Sequence, residues 1–226
     1  MRCLIKRGGL IMGMLKKLCI ATALGVMVAG VSYASVVSET IVEGKLRLTY
    51  PVIYTDNKVA QIAIFNDIWS YVLKAKENYY NGIAYEVFQG YEVTYEDDQV
   101  ISILLNTGEN YKGAAHGTYS TRGLVYDKNT GQRIPLYNYV RVANAQQLED
   151  GINEDILNFY TSASKRKTYL PKYKHIMDVT DNYYLPGNGY VKLIYQPYVL
   201  GPFNDGVTFI EFSPEAIEYF NRMNNW

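Results

Sequence analysis

The chain has 226 residues, and its 22 lysines and arginines balance its 22 aspartates and glutamates to a formal net charge of zero. This balance excludes the strongly basic class of nucleic-acid-binding proteins, because affinity for a phosphate backbone needs a positive field. The two cysteines are Cys3 and Cys19, so the rest of the chain offers no disulfide framework and no thiolate chemistry.

The N-terminal segment has the pattern of a secretory signal peptide. Five basic residues precede an apolar run from Leu18 to Val31, and Ser32 and Ala34 then place small residues at the −3 and −1 positions of a cleavage site. The run is about 14 residues long, shorter than the roughly 20 that a transmembrane helix needs. We therefore expect a signal peptide at residues 1–34, a secreted or periplasmic domain at residues 35–226, and no stable membrane span after cleavage. The mature domain would carry 17 basic and 22 acidic residues.

The first half of the mature chain predicts one helix among strands. Period-two alternation at residues 40–50 predicts a half-buried strand, which Pro51 is expected to end. A helix capped by Asp56 is expected next, because apolar residues recur at spacings of three and four. Its predicted buried face comprises Val59, Ile62, Phe65, Ile68, Trp69, Val72 and Leu73. Strands are predicted at residues 84–96, 99–107 and 115–126, with a turn at Asp97-Asp98 that favours consecutive antiparallel pairing.

The second half predicts a hairpin and two further helices. After Tyr126, Asp-Lys-Asn-Thr-Gly predicts a hairpin loop with Gly131 at positive φ and a return strand at residues 132–136. A helix is predicted at residues 144–164, followed by irregular backbone to residue 190. Its apolar stripe comprises Leu148, Ile152, Ile156, Phe159 and Tyr160. A strand pair at residues 190–196 and 206–212 precedes a last helix, which Ser213 caps and whose buried face is Ile217 and Phe220.

Strands in succession with helices set apart predict an α+β fold. We expect an antiparallel sheet with helices packed on it, in a single domain with room for two subregions. The mature length is sufficient for one well-buried core without disulfides.

Three blocks of sequence stand out together: Y-P-V-I-Y with the helix after it, Y-K-G-A-A-H-G-T-Y-S…Y-D-K-N-T-G-Q-R-I-P-L, and Y-Q-P-Y-V-L-G-P-F-N-D-G. In this order and spacing they resemble the extracellular domain of RsiV-type anti-sigma factors, which also lies beside the catalytic module of PdaC-type peptidoglycan deacetylases. The resemblance covers residues 45–220 and implies an α+β fold with an antiparallel sheet. From the RsiV type it implies lysozyme binding as a signal. Only the leader precedes the domain here, so we expect a free-standing secreted copy.

His116, in the second block, has two interpretations. Its imidazole titrates near neutral pH, which suits a general base or a ligand contact. Alternatively, the small residues around it let backbones pack closely while His116 fills a polar slot where a strand begins. Tyr111, Tyr119 and Tyr198, also within the blocks, are the candidates for a binding surface, because tyrosine combines an apolar ring with a polar tip.

No metal site, cofactor or catalytic residue set is predicted. His116 and His175 are far apart in sequence, and the mature chain has no cysteine. Glu96-Asp97-Asp98 and Glu149-Asp150 lack EF-hand spacing and are interpreted as a solvated turn and a solvated helix face. The sequence contains neither G-x-S-x-G nor a recognisable Ser/His/Asp order for nucleophilic hydrolysis.

The leading hypothesis is a non-enzymatic secreted or periplasmic domain that binds an envelope partner, either a protein such as lysozyme or a cell-wall glycan. The alternative is a hydrolase or transferase that acts on cell-wall material through His116 and nearby carboxylates. A third hypothesis is an assembly protein whose partner is a second copy of itself.

Overall fold

The computed structural model describes residues 35–164 and 166–225, which form part of one compact unit. The predicted signal peptide lies outside the described residues. Ten strands and three α-helices follow in chain order: β1 (Ser35–Glu43), β2 (Leu46–Tyr54), α1 (Lys58–Tyr80), β3 (Glu86–Glu96), β4 (Val100–Asn110), β5 (Thr118–Asp127), α2 (Ala145–Asn153), β6 (Asn158–Thr161), β7 (Lys167–Thr168), β8 (Tyr183–Gly187), β9 (Tyr190–Tyr195), β10 (Thr208–Phe212) and α3 (Pro214–Met223). The predicted α+β class is confirmed, with two sheets where one was expected.

The first sheet has the strand order β1-β2-β3-β4-β5. All its pairs are antiparallel except β2 with β3, which α1 connects by a crossover. The strand predicted at residues 40–50 is in fact the tip of a hairpin, since Glu43 pairs with Leu46 around a two-residue loop in which Gly44 has φ +60°. The prediction that Pro51 ends the strand was also wrong. Pairing with β3 has already stopped at Leu48, so the missing N–H of Pro51 costs no bond to β3.

Helix α1 packs on one face of this sheet, but its cap and its buried face differ from the prediction. Asn57, and not Asp56, is the N-cap, and its Oδ1 accepts hydrogen bonds from the N–H groups of Val59 and Ala60. The buried residues are Ala60, Ile64, Ile68, Val72 and Ala75, whereas Val59, Ile62 and Leu73 are exposed. The inner face includes two alanines, Ala60 and Ala75, and a pattern based on the largest apolar residues misses them.

The second sheet has the order β7-β6-β10-β9-β8, with all neighbours antiparallel. The helix predicted at residues 144–164 ends at Asn153. Asp155 then takes φ +60°, and the N–H groups of Ile156 and Leu157 both donate to the carbonyl of Gly151. Phe159 is buried and its neighbours are half-buried, so these residues alternate as β6 beside β10. Helices α2 and α3 contribute to the core of this sheet, and α3 has the predicted Ser213 cap.

The two sheets meet where β8 lies across the face of the first sheet opposite α1. The N–H of Leu185 donates to Ser102 Oγ of β4 at 2.9 Å. A Cβ added to Gly123 of β5 would lie 1.8 Å from the carbonyl oxygen of Tyr183, so only glycine allows this approach. A small buried cluster, containing Leu104 and Ile194, fills the space beside this junction.

Among the residues that the structure describes, no helix combines the length and the apolar character needed to cross a membrane.

Candidate functional site

His116 lies in the connection between β4 and β5, two residues before β5 begins at Thr118. The strand predicted from residue 115 therefore starts later, and His116 is exposed instead of filling a slot where the strand begins. Gly113 has φ +78°, a conformation that lets this connection turn. The Nδ1 atom of His116 lies 2.9 Å from the carbonyl oxygen of Gly117, so Nδ1 carries the proton in this arrangement.

Tyr198 lies in the second connection of the site, between β9 and β10. It is one of four non-glycine residues at positive φ in the described chain, with φ +72°, a conformation that costs about 1–3 kcal/mol. Lys174 donates from Nζ to the carbonyl oxygen of Tyr198 at 2.7 Å and helps to hold it. The side chain remains 57 % exposed, so the strained backbone presents the ring to solvent.

The two connections meet around Phe203. The imidazole of His116 stacks on the Phe203 ring with centroids 3.9 Å apart and planes 23° apart. Tyr119 and Tyr198 lie with their centroids 5.4 Å and 5.5 Å from that of Phe203. The Tyr198 hydroxyl lies 3.2 Å from His116 Nε2 and donates a hydrogen bond to it when Nδ1 is the protonated nitrogen. We call these four residues, His116, Tyr119, Tyr198 and Phe203, the aromatic surface.

Two side-chain amides next to strands of the second sheet bind the main chain of β5. Gln196, just before Tyr198, accepts from the N–H of Thr121 at 3.0 Å and donates to its carbonyl at 2.7 Å. Asn182 accepts from the N–H of Gly123 at 2.8 Å and donates to the Thr121 carbonyl at 2.9 Å. Because each amide replaces a strand neighbour on β5, the end of the second sheet is fixed against the first. This fixes Tyr198 beside His116.

Sequence reasoning identified three of the four residues of the aromatic surface and missed Phe203. Phe203 is a half-buried apolar residue in a loop, and it lies in the same block of sequence as Tyr198. Its presence in that block is the only signal that could have found it. Gln196 was also missed, although it opens the same block.

Tyr111, the fourth predicted site residue, lies elsewhere. Its hydroxyl donates to the carboxylate of Glu109 and accepts from Thr118 Oγ1 at 3.2 Å. Its ring packs against the core between α1 and the first sheet. Burial, followed by the hydrogen bond to Glu109, raises the pKa of Tyr111.

The electrostatics of the aromatic surface favour contact over proton transfer. Burial, and after it the neighbouring Tyr198, raise the pKa of Tyr119, so this phenol stays neutral at physiological pH. The two ring nitrogens of His116 face a main-chain carbonyl and a phenol. Neither partner is a carboxylate that would orient the imidazole as a general base. The arrangement is suited to stacking and hydrogen bonding with a ligand.

Within residues 35–164 and 166–225, no group of three or more His, Cys, Asp or Glu side chains converges as a metal site would require. The first acidic cluster forms a turn, as predicted: Asp97 Oδ1 accepts from the N–H groups of Gln99 and Val100. The Glu149 carboxylate has a more specific role than a solvated helix face. It accepts from the N–H of Ile176 at 2.6 Å and lies 3.3 Å from His175 Nδ1.

Two solved structures share this architecture. One is a member of the DUF3298 family from Bacteroides fragilis, with a TM-score of 0.51, 20 % identity, and coverage of 83 % of this chain and 91 % of that chain. The other is a DUF3298 family protein from Pseudomonas aeruginosa, with a TM-score of 0.52, 11 % identity, and coverage of 82 % and 91 %. At these identities the likeness establishes the fold, which is that of a domain of unknown function. No protein-family model matches the chain. No curated protein matches it either.

Proposed function

We propose that this protein is a non-enzymatic, secreted or periplasmic binding domain of the cell envelope, and that its aromatic surface contacts a protein partner. The observation that carries the proposal is the stacking of His116 on Phe203 beside Tyr198, whose side chain is 57 % exposed despite its strained backbone. A rigid, partly exposed group of aromatic rings loses little conformational entropy when it is covered.

The shape of the surface favours a protein over a small ligand. The rings of His116, Tyr119 and Tyr198 each contact Phe203, and those of His116 and Tyr198 also contact each other, so the four form a packed group. Small-molecule sites are usually concave and enclose most of the ligand. Tyrosine is enriched among the residues that dominate binding energy at protein interfaces.

The sequence blocks suggest which protein to test first. His116 and Tyr119 come from the second block that resembles the RsiV-type extracellular domain, and Tyr198 and Phe203 come from the third. That resemblance supports lysozyme as the partner, and the predicted leader supports an extracytoplasmic location where lysozyme would be met. A cell-wall glycan is the alternative ligand of this surface.

The test is a calorimetric titration of the purified protein with lysozyme. We expect saturable binding in the micromolar range or tighter, and we expect Tyr198→Ala to weaken it by about 30-fold or more, as for a dominant interface residue. Tyr173→Ala is the matched control, because Tyr173 is 71 % exposed and lies outside the aromatic surface.

Absence of binding at high lysozyme concentration would exclude this partner. If Tyr198→Ala and Tyr173→Ala weaken the affinity for lysozyme equally, the aromatic surface is excluded as the contact region. Saturable binding of a chitin oligosaccharide that Tyr198→Ala abolishes, without lysozyme binding, would favour the glycan alternative.

A further inference from the structure

A groove of about 420 Å³ lies between α1 and the strands β4 and β5. Its helix side presents Tyr71, Lys74, Ala75 and Asn78, which share one face because they are spaced by three and four residues. Ala75 is the smallest of them and leaves room between the helix and the sheet. The volume falls within the range of roughly 300–1,000 Å³ that small-ligand sites occupy.

The sheet side of the groove consists of three successive cross-strand pairs. Leu105 pairs with Arg122, Thr107 with Ser120, and Glu109 with Thr118. Alternate residues of a strand point to the same face, so all six side chains belong to the face that carries α1. Along the groove, the pairs place Leu105 with Arg122 at one end, two hydroxyl side chains in the middle, and Glu109 with Thr118 at the other end.

The charges of the groove leave a positive excess. The one carboxylate, Glu109, has both oxygens occupied, because Asn78 Nδ2 donates to Oε1 at 2.6 Å and the Tyr111 hydroxyl donates to Oε2. Lys74 forms only an exposed ion pair at 3.7 Å with Glu77, a type of contact that contributes little. Arg122 has no side-chain hydrogen bond or ion pair to any residue that the structure describes.

A buried amide without a partner in the described chain lies next to the groove, outside the residues that line it. Gln89 of β3 lies directly across from Thr107 in the antiparallel register, on the same face of the sheet. Its side chain is buried, yet neither its Oε1 nor its Nε2 has a hydrogen-bond partner within the described chain. A buried amide without hydrogen-bond partners lowers the stability of the fold.

We propose that this groove is a second binding site, for a sugar that carries a carboxylate. Lys74 and Arg122 match the carboxylate, and the hydroxyls of Thr107, Thr118 and Ser120 match the hydroxyls of a sugar. The half-buried Tyr71 ring supplies the apolar contact that the C–H face of a sugar ring needs. Ala75 and Leu105, which are 2 % and 1 % exposed, belong to the core beneath the groove. The site is separate from the contact of the aromatic surface with a protein, although Tyr119 borders both.

The probe is the disaccharide of N-acetylglucosamine and N-acetylmuramic acid, titrated into the full purified protein by calorimetry. N,N′-diacetylchitobiose, called chitobiose below, has the same sugar backbone without the carboxylate, and lactate has a carboxylate without the sugar. We expect the disaccharide to bind at least tenfold more tightly than either, with an affinity that falls as salt is added.

Two groove variants and one control complete the test. Arg122→Gln and Lys74→Gln are each expected to weaken disaccharide binding by about tenfold or more. Arg47→Gln removes an exposed arginine on β2, outside the groove, and is expected to leave the affinity unchanged.

Several results would overturn the proposal. These are no disaccharide binding at millimolar concentration, equal affinity for chitobiose, equal affinity for lactate, or full affinity in both groove variants while their thermal melting matches the wild type. The titration with lysozyme is independent of all of them, so each proposal can fail alone.

Discussion

The phenol of Tyr126 donates to the Oδ2 atom of Asp67 at 2.7 Å and joins the buried end of β5 to α1. Arg133 donates from Nε to the same oxygen at 2.6 Å, and its guanidinium lies 5.0 Å from the centre of the Tyr126 ring. Burial, above all other causes, raises the pKa of Tyr126 well beyond its ordinary value. The buried hydroxyl therefore stays protonated and donates to a carboxylate that is itself partly exposed.

Tyr126→Phe removes this donor and keeps the ring. Hydrogen bonds to charged groups contribute about 1.5–3 kcal/mol, so we expect the free energy of unfolding to fall by about that amount. Chemical denaturation measures it, with Tyr137→Phe as the control because Tyr137 is 64 % exposed. If the free energy of unfolding falls no more than in the control, the hydrogen bond to Asp67 makes no net contribution to stability.

Gly123→Ala tests the contact between the two sheets. The added Cβ would lie 1.8 Å from the carbonyl oxygen of Tyr183, and a main-chain atom cannot rotate away. We expect a loss of about 3 kcal/mol in the free energy of unfolding, at the upper end of ordinary overpacking. Gly90→Ala is the matched control, since its added Cβ meets nothing within 4 Å. If both variants unfold at the same denaturant concentration, the close approach of β8 to β5 is wrong.

Tyr198→Gly tests whether the positive φ stores strain. Glycine adopts this conformation without cost, and the exposed ring contributes little buried area, so we expect stability to be unchanged or raised by about 1 kcal/mol. Tyr173→Gly relieves no such strain. We expect its free energy of unfolding to fall by about 1 kcal/mol, because glycine raises the entropy of the unfolded chain. Thermal melting of the two variants separates these effects. A clear loss of stability in Tyr198→Gly would show that the ring contacts outweigh the strain.

Asp97 gives a prediction for acid pH. Although burial alone would raise it, the pKa of Asp97 is lowered by hydrogen bonds from Tyr95 and from the N–H groups of Val100 and Gln99. A pKa that is lower in the folded state means that the carboxylate stabilises the fold above its unfolded pKa, near 3.8, and that this stabilisation disappears as the pH falls through the folded pKa. The stability difference between wild type and Asp97→Asn should therefore be large at pH 7 and shrink below pH 3.8. Asp98→Asn, at an exposed neighbouring carboxylate, is the control for the loss of a negative charge at this turn.

The sequence predicted the fold class and the elements whose local signals agree with their tertiary contacts. Helix α3 has its cap at Ser213 and a buried Phe220, as the spacing indicates. The predicted end of helix α2 was too late, because Phe159 and Tyr160 fit the apolar stripe of a helix as well as they fit a strand. These residues form a strand because they pair with β10, about 50 residues further along the chain. Local sequence patterns do not show such a distant pairing partner.

The candidate site was only partly predictable from the sequence, because it also depends on contacts between residues that are distant in the chain. His116 and Tyr198 are 82 residues apart, and the sequence blocks that contain them pointed to both. Their contact depends on Gln196 and Asn182, whose amides reach the main chain of β5 across the sheet junction. The spacing of apolar residues in the sequence does not indicate such hydrogen bonds between side chains and the main chain. The groove beside α1 is likewise invisible in sequence, because it depends on where Ala75 leaves space.

The same amides have a consequence for the solution behaviour of the protein. β5 is the last strand of its sheet, and an unpaired edge is a template for adding a strand from another chain. Along this edge the main-chain groups of Thr121 and Gly123 are already bonded to side chains of Asn182, Gln196 and Arg133. Further along, the carbonyl of Val125 accepts from the N–H of Ile134. These main-chain groups of β5 are therefore not free to pair with a strand of another molecule. Intermolecular strand pairing is thus blocked at this part of the sheet edge, beside the aromatic surface.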